Sequence, residues 1–535
     1  MTDYDVVIAG LGPTGAVAAN LLGAAGIRTL VVDPNPTVYN IPRAVHFDGE
    51  VMRTFQSLNL HTQISEVAAP GVGLGFTNGR NWKLFEQDLS ILPKSQGWNN
   101  SNFFNQPALE AHLRTGLERY SSVTCALGDR VSDIEQTQDH VVINIASGQE
   151  GDSTGRQVSA RYLLGCDGAA STIRNALAIE QEDLDCDEPW LVVDWFLPGD
   201  VEINRRAYQI CDPNRPATLV PCEGSHIRWE FMVNEGDDLK AIEEEANVRQ
   251  LMAPHLHRLS PELTSDMGEL VRSKVYNFHA LIAERFQTDR IFLLGDAAHQ
   301  TPPFLGQGMC AGIRDADNLC WKIVGVLQGK YPPGLLSTYT TERRPHVYEV
   351  IKTAVGHGSV IQNRNHIAAF FRDCYLMLGR LVPLLVSFLR FDLSWSLGVG
   401  LLSPKKPKDA VIGKPIPQFE LDGREPPTFS DSMLGKDFTL IGIDIDPSSL
   451  IDSQTSDINI KSVIVGPNGD IIDSNNSFST WGALHDIKVL LVRPDRQVFG
   501  YCNDQPSLAA NVAALVNQLE SQLNSTITIQ RNKEE

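Results

Sequence analysis

Three stretches of this 535-residue chain set glycines and a carboxylate at the end of an apolar run. That combination brings bare main-chain N–H groups and an acceptor up to a ligand, which suits phosphates and sugar hydroxyls. The first is Gly10-x-Gly12-x-x-Gly15, with Pro13 and Thr14 inside it and Asp33 further along. Gly10 permits a tight turn, Gly12 lets the backbone approach a pyrophosphate, and Gly15 lets a helix sit close to a strand. Asp33 stands where an acid accepts hydrogen bonds from ribose hydroxyls. The second stretch is Asp167-Gly168, followed by a helix start carrying Arg174; Asp167 is either part of a ligand site or a helix cap. The third is Gly295-Asp296, which passes through Pro302 and Pro303 to Gly306-Gln307-Gly308-Met309, a helix start whose N–H groups face an anion.

Positioning these groups takes strands that run directly into helices. Residues 6–9 predict a strand, 14–25 a helix rich in small side chains, and 29–32 a second strand ending at Asp33. "RYLLGCDGAASTIRNAL", residues 161–177, repeats the strand, turn and helix, and so does the stretch from "RIFLL" onward. After Met309, apolar residues Ile313, Ala316, Cys320, Ile323 and Leu327 recur at helical spacing. The first unit has the full dinucleotide-binding order of strand, glycines, helix, strand and acid. On its own it does not separate NAD from FAD.

The rest of the composition narrows the function classes. At 42% hydrophobic and 21% charged the chain is an ordinary globular one, and its length predicts two or three domains. A net charge of −20 argues against nucleic acid or an anionic membrane as the main partner. The nine cysteines form no CxxC and lie at no zinc-ligand spacing, so they read as reduced thiols in a cytoplasmic protein, and no metal site is expected. The N-terminus runs straight into a strand instead of a leader peptide. Residues 375–402 are apolar, but Arg380, Arg390 and Asp392 cut them below the roughly 20 residues a membrane span needs; they read as packed helices at a subunit contact.

Together the three motifs resemble the FAD-dependent aromatic hydroxylases, the single-component flavoprotein monooxygenases. "IPRAVHFDGEVMRTFQSLNL", "NQPALEAHL", "YQICDPNRP", "RWEFMV", "GIRDADNLCWK" and "YTTERRPH" are similar to the branch containing 3-(3-hydroxyphenyl)propionate hydroxylase. The resemblance implies non-covalent FAD, with NAD(P)H as electron donor, O2 as co-substrate and a small aromatic substrate. It implies that the N-terminal glycines and Asp33 hold the ADP half, and that Arg43 and Gln106 reach the phosphates and ribityl chain. Asp167-Gly168 would lie near the flavin, Gly295-Asp296 would hold the ribityl chain, and the helix start at Gly306 to Met309, with Pro303 before it, would face the flavin N1–C2=O edge. The reaction implied is hydroxylation of a phenol through a flavin C4a-hydroperoxide. Asp48 would polarise or deprotonate the substrate hydroxyl, with helix capping as its other reading. His46, Trp195, Tyr208, Arg228 and Pro302 are substrate-pocket candidates. His46 and Gly49 depart from the branch, as does "QTPPFLGQGMCAG", so substrate identity stays open, a larger polycyclic phenol included. A flavin oxidoreductase without oxygen insertion is the other class; the WxWxIP motif of flavin halogenases is missing from "WLVVDWFLP".

The expected fold is α/β. A Rossmann-like FAD-binding domain (1–75, 100–180, 280–360) carries an inserted mixed-sheet substrate domain (76–99, 181–279). A helical segment and linker (361–405) lead to a thioredoxin-like C-terminal domain without CxxC (406–535). There, strands end in a hairpin at Pro494-Asp495, and a last helix aligns Leu508, Val512, Leu515, Leu519 and Leu523. Packing or assembly, not redox work, is the expected role of that domain, and the chain is expected to form a homodimer.

Overall fold

The computed structural model describes residues 2–148, 155–199, 201–382, 384, 394–405, 409–421, 428–451, 458–473, 476–504 and 507–534, the last nine by backbone only. A seven-stranded sheet forms the first domain. Strands Val123–Leu127, Thr29–Asp33, Tyr4–Ala9 and Arg156–Gly165 lie side by side in parallel. Val6, Val7 and Ile8 are wholly buried because helices cover both faces, so the strand is continuously apolar. Strand Ile291–Leu293 joins parallel to the end of Arg156–Gly165, while Val141–Ser147 pairs antiparallel with its beginning.

This topology brings the distant motifs together. The Cys166 amide donates to the Ala9 carbonyl at 2.7 Å, and the Leu294 amide to the Gly165 carbonyl at 2.9 Å. Three parallel strands therefore end in register, and the turns at Gly10, Cys166-Asp167 and Gly295-Asp296 line one edge of the sheet. Ligands of open α/β sheets bind at that carboxyl edge. Helices Pro13–Gly23 and Gly308–Leu327 pack on each other just beyond it.

The second domain is an eight-stranded sheet around the long antiparallel pair Gln181–Phe196 and Glu269–Ala283. Strand side chains alternate between faces. Leu191, Val193, Trp195, Tyr208, Leu219, Trp229 and Phe231 form an apolar core on one face, against helix Glu245–Met252. The other face turns Asp194, Gln209, Thr218, Arg228 and Glu230 the opposite way, and Gln209, Thr218, Arg228 and Glu230 line the cavity between the two domains. Strands Gly73–Asn78 and Glu269–Ala283 belong whole to this sheet, so the boundaries expected at 75/76 and 279/280 each cut through a strand. Helix Glu245–Met252 begins after a run of turns.

The C-terminal four-stranded sheet has the order Ile460–Val465, Phe438–Ile443, Val489–Val492, Val498–Cys502, parallel in the first pair and antiparallel in the others. The last helix, Leu508–Glu534, buries Val512, Leu515, Leu519 and Leu523 as its spacing predicts, within a core that runs on into the first domain. Ions tie the two domains as well. Arg493 bonds both oxygens of Glu342 and of Asp495, and Lys322 bonds Glu342, all of them almost wholly buried. Of residues 375–402, helix His366–Gly379 covers the start, and 383 and 385–393 lie outside the described residues. Among the described residues no helix is long and apolar enough to cross a membrane, and no group of three His, Cys, Asp or Glu is placed to hold a metal.

Candidate active site

The glycine turn after Tyr4–Ala9 is shaped by close backbone contact. Gly10 has φ +100°, and a Cβ there would lie 2.3 Å from the Cys166 carbonyl oxygen. A Cβ on Gly15 would lie 2.0 Å from the Gly10 oxygen. Gly12 differs: a Cβ on it would meet nothing within 4 Å, and the residue lines the cavity beside Pro13 and Thr14. Asp33 braces this turn from behind, accepting from the Leu11 amide at 2.6 Å and the Asn35 amide at 2.8 Å. Each carboxylate oxygen keeps a lone pair for a ribose hydroxyl.

At the second turn only Cys166 and Gly168 reach the cavity. The Asp167 carboxylate accepts from the Ser171 hydroxyl at 2.6 Å and the Ile173 amide at 3.1 Å, so it braces the start of helix Thr172–Ala176. Of the two readings of Asp167, these bonds support the helix-bracing one. Arg174 then links the second turn to the third by donating to the Ala169 and Ala297 carbonyls.

At the third turn Gly295 has φ +60° and its amide donates to Asp315. Asp315 is itself held by His299 and Arg343, both at 2.7 Å. This buried trio fixes the turn that presents Asp296, and it was not singled out in the sequence. Asp296 opens onto the cavity, yet the protein around it still raises its pKa by desolvation. Beyond it Thr301, Pro303, Gly306, Gly308 and Met309 line the cavity, and Gly308 begins the long helix. Pro302 is buried off the cavity wall, and Gln307 turns its side chain to Arg314, leaving only its main chain at this helix start.

Arg43 and Gln106 both line the cavity. Gln106 accepts from the Arg43 and Ala44 amides at 2.7 and 2.6 Å and donates to Glu110, so it fixes the segment bearing Arg43. Arg228 and Arg272, from the eight-stranded sheet, donate to the Pro42 carbonyl, and Arg228 also to that of Arg43. His46 lies on the wall between the Gly306 carbonyl and the Ser101 hydroxyl, and burial lowers its pKa.

Three substrate-site expectations are corrected. Asp48 does not line the cavity. It caps helix Gly49–Ser57 through the Val51 amide at 3.1 Å, and its other oxygen pairs with Arg314 at 2.5 Å. Burial works to raise the Asp48 pKa, but Arg314 outweighs it and holds the carboxyl low. Trp195 and Tyr208 point to the opposite face of their strands, where the Trp195 indole donates to the Met267 carbonyl and Tyr208 accepts from Asn204. Their neighbours Ala207 and Gln209 reach the cavity instead.

Open space at Gly12, the cationic Arg43 and the acid Asp296 stand along one cavity, which fits an elongated ligand with a pyrophosphate at one end and hydroxyls further along. The FAD binding domain family matches residues 3–354 of the chain. This chain belongs to the FAD binding domain family. HcaD C-terminal domain matches residues 413–518. The family member 3-(3-hydroxy-phenyl)propionate/3-hydroxycinnamic acid hydroxylase 2 of Burkholderia vietnamiensis is 32% identical over 520 residues, 92% of each chain. A 3-(3-hydroxy-phenyl)propionate/3-hydroxycinnamic acid hydroxylase of Klebsiella pneumoniae is 32% identical over 537 residues, 96% of this chain and 94% of that one. The fold is shared with the flavin-dependent monooxygenase PieE in complex with FAD and substrate, at TM-score 0.79 and 18% identity over 98% of this chain and all of that one. It is shared also with aklavinone-11 hydroxylase in complex with FAD and aklavinone, at TM-score 0.76 and 20% identity over 97% and 99% of the two chains.

Within an FAD binding domain the acid at 296 has a testable part. Asp296→Ala removes an acceptor that faces the cavity, and the expected loss is about 1.5–3 kcal/mol, roughly ten- to hundredfold in the Kd for FAD. Titration of the apoprotein with FAD, followed by flavin fluorescence, measures it. An unchanged Kd would remove Asp296 from the cofactor site.

Proposed function

We propose that this chain is an FAD-dependent monooxygenase that hydroxylates a phenolic ring, with NAD(P)H as reductant and O2 as oxidant. The observation that carries this is the single cavity with two kinds of wall, cofactor turns on one side and the polar face of a substrate-type sheet on the other. The two hydroxylase relatives, similar along almost the whole chain, support the phenol as substrate. Bound FAD would supply the redox chemistry, accepting hydride from the nicotinamide and activating O2. The chain supplies the rest. Gly12 and the neighbouring helix start would hold the pyrophosphate, Arg43 would offset its charge, and Asp296 would accept from the ribityl hydroxyls. The N-terminus of helix Gly308–Leu327 would favour negative charge on the reduced ring. Leu74, Leu89, Phe103, Val220, Phe304 and Leu305 would enclose the substrate ring and keep water from it.

The strand order and sense of the C-terminal sheet, followed by a final helix, support a thioredoxin-like domain; its sole cysteine, Cys502, is buried, which supports a packing role over a redox one. Exposed Phe370, Phe371 and Leu381 on and just after helix His366–Gly379 support a homodimer.

The test of function is NAD(P)H oxidation by the FAD-loaded protein with a panel of phenol, 3-methylphenol, resorcinol, 3-hydroxybenzoate and 3-(3-hydroxyphenyl)propionate. Products are weighed for one added oxygen, in air and under nitrogen. Hydroxylated product in air alone is expected. Substrate turnover that proceeds without O2 would overturn the reading in favour of a plain oxidoreductase.

A further inference from the structure

The cavity-facing side of strand His226–Met232 carries Arg228 and Glu230, while Trp229 and Phe231 between and after them enter the apolar core. The two charged groups differ in what they have left to give. Arg228 donates its Nε to Asp194 and its two terminal nitrogens to the Arg43 and Pro42 carbonyls. Glu230 is only 7% exposed and lines the cavity, and its acidity is set by burial and by the charges of Arg228, Asp194 and Arg272, with no hydrogen bond among the causes. The neighbouring Thr218 hydroxyl, in register with it across the strands, donates instead to Gln209. A carboxylate on a cavity wall becomes costly once an entering ligand displaces solvent from it, unless that ligand supplies a donor.

We propose that Glu230 is the catalytic proton acceptor for the substrate's phenolic hydroxyl, the part that the sequence assigned to Asp48. This rests on the phenol-hydroxylase reading above. The phenolic O–H bond breaks, the proton goes to the Glu230 carboxylate, and the electron pair stays on the phenolate oxygen. That raises electron density at the ring carbons ortho and para to it, where an electrophilic oxygen attacks. The proton returns to the product oxygen, so the step is balanced within the substrate and this side chain. A phenol O–H supplies that donor, so the substrate directs a hydroxyl, not a carboxylate, at this wall.

The electrostatics suit the task. Burial raises the Glu230 pKa to about 7, Arg228 working to lower it and Asp194 to raise it further. Arg272 faces it from strand Glu269–Ala283, and Arg43, His46 and Asp296 line the cavity elsewhere. A base that titrates near neutrality is present in useful amounts and still accepts a proton well.

The test uses full-length FAD-loaded wild type, Glu230→Gln and Asp48→Asn, with whichever phenol of the panel gives most product. Product per NAD(P)H consumed is measured from pH 5.5 to 8.5, beside melting curves. In the wild type this ratio is expected to rise through about pH 7. E230Q is expected to lose at least about tenfold of it, together with the pH step, while FAD binding persists. D48N is expected to melt lower, having lost half its cap and ion pair, and to keep the ratio. Melting gives a readout apart from turnover. Glu230 binds its proton more tightly folded than unfolded, so its contribution to stability is full in acid and lost as pH rises through 7. E230Q should therefore gain in melting temperature over wild type between pH 5.5 and 8.5. An E230Q enzyme with wild-type ratio and pH profile overturns the proposal, and so does one altered in melting alone. If no phenol in the panel yields hydroxylated product from wild type, the hydroxylase reading itself falls and this assignment with it.

Discussion

Arg493→Ala is expected to lower the melting temperature by on the order of 10 °C. The Arg493 side chain is wholly buried and makes two bonds to Glu342 and two to Asp495, with a fifth to the Leu401 carbonyl. Truncation leaves two buried carboxylates with Lys322, Asn318 and the Leu401 and Gln497 amides as their remaining partners. Stranding buried charge in this way costs about 3–5 kcal/mol, and in a protein of this size each kcal/mol moves the midpoint by roughly 2–4 °C. The direction of the Glu342 shift agrees. Burial works to raise its pKa, but Arg493 and Lys322 outweigh it and hold the carboxyl well below its usual range. A group lowered on folding contributes stability above its unfolded pKa and loses it only as pH falls through the folded value. The wild-type network should thus persist into mild acid. A calorimetric scan of R493A at pH 7 measures the loss; a midpoint within about 2 °C of wild type would show that the cluster contributes little.

Gly10→Ala is expected to give protein that purifies without FAD. Two separate penalties meet at this residue. Its φ of +100° is a region that L side chains rarely adopt, and an added Cβ would lie 2.3 Å from the Cys166 oxygen and 2.7 Å from the Cys166 carbonyl carbon. The clash is with backbone, itself pinned because the Cys166 amide bonds to Ala9, so no side chain can swing aside. Strain of about 1–3 kcal/mol and overpacking of about 1–3 kcal/mol add to about 2–6 kcal/mol. If the turn moves outward to relieve this, the cost falls on cofactor affinity, at least about thirtyfold. Gly12→Ala makes the comparison, since its Cβ would meet no protein atom within 4 Å and would obstruct only a ligand. FAD absorbance against protein concentration measures both variants. A yellow G10A protein of wild-type Kd would contradict the geometry.

The three turns were legible in the sequence because each joins a strand to a helix, and that junction is written in neighbouring residues. Their convergence was legible only through family resemblance, since the pairing of Tyr4–Ala9 with Arg156–Gly165 and of that strand with Ile291–Leu293 spans most of the first domain. Side-chain direction was the weaker part. Trp195, Tyr208 and Arg228 were chosen by type, but alternation along a strand sends Trp195 and Tyr208 into the apolar core and Arg228 toward the cavity. The segment "RWEFMV" held the missed signal: two charges two residues apart, with large aromatics after each, mark one polar and one apolar face. Asp167 and Asp48 show the reverse case. Both precede a helix, and in both the carboxylate accepts from an amide of the helix's first turn.

The clamp on residues 42–44 has a mechanical meaning. Two amides of this short segment are held by Gln106 of the first domain, and the Pro42 and Arg43 carbonyls by Arg228 and Arg272 of the eight-stranded sheet. Swinging one domain off the other would break these bonds together and leave two cations facing vacated carbonyls. The molecule is latched at the wall of its own cavity. A large molecule entering or leaving must therefore work around the latch, while the two sheets keep their spacing like the jaws of a vice set to one gauge.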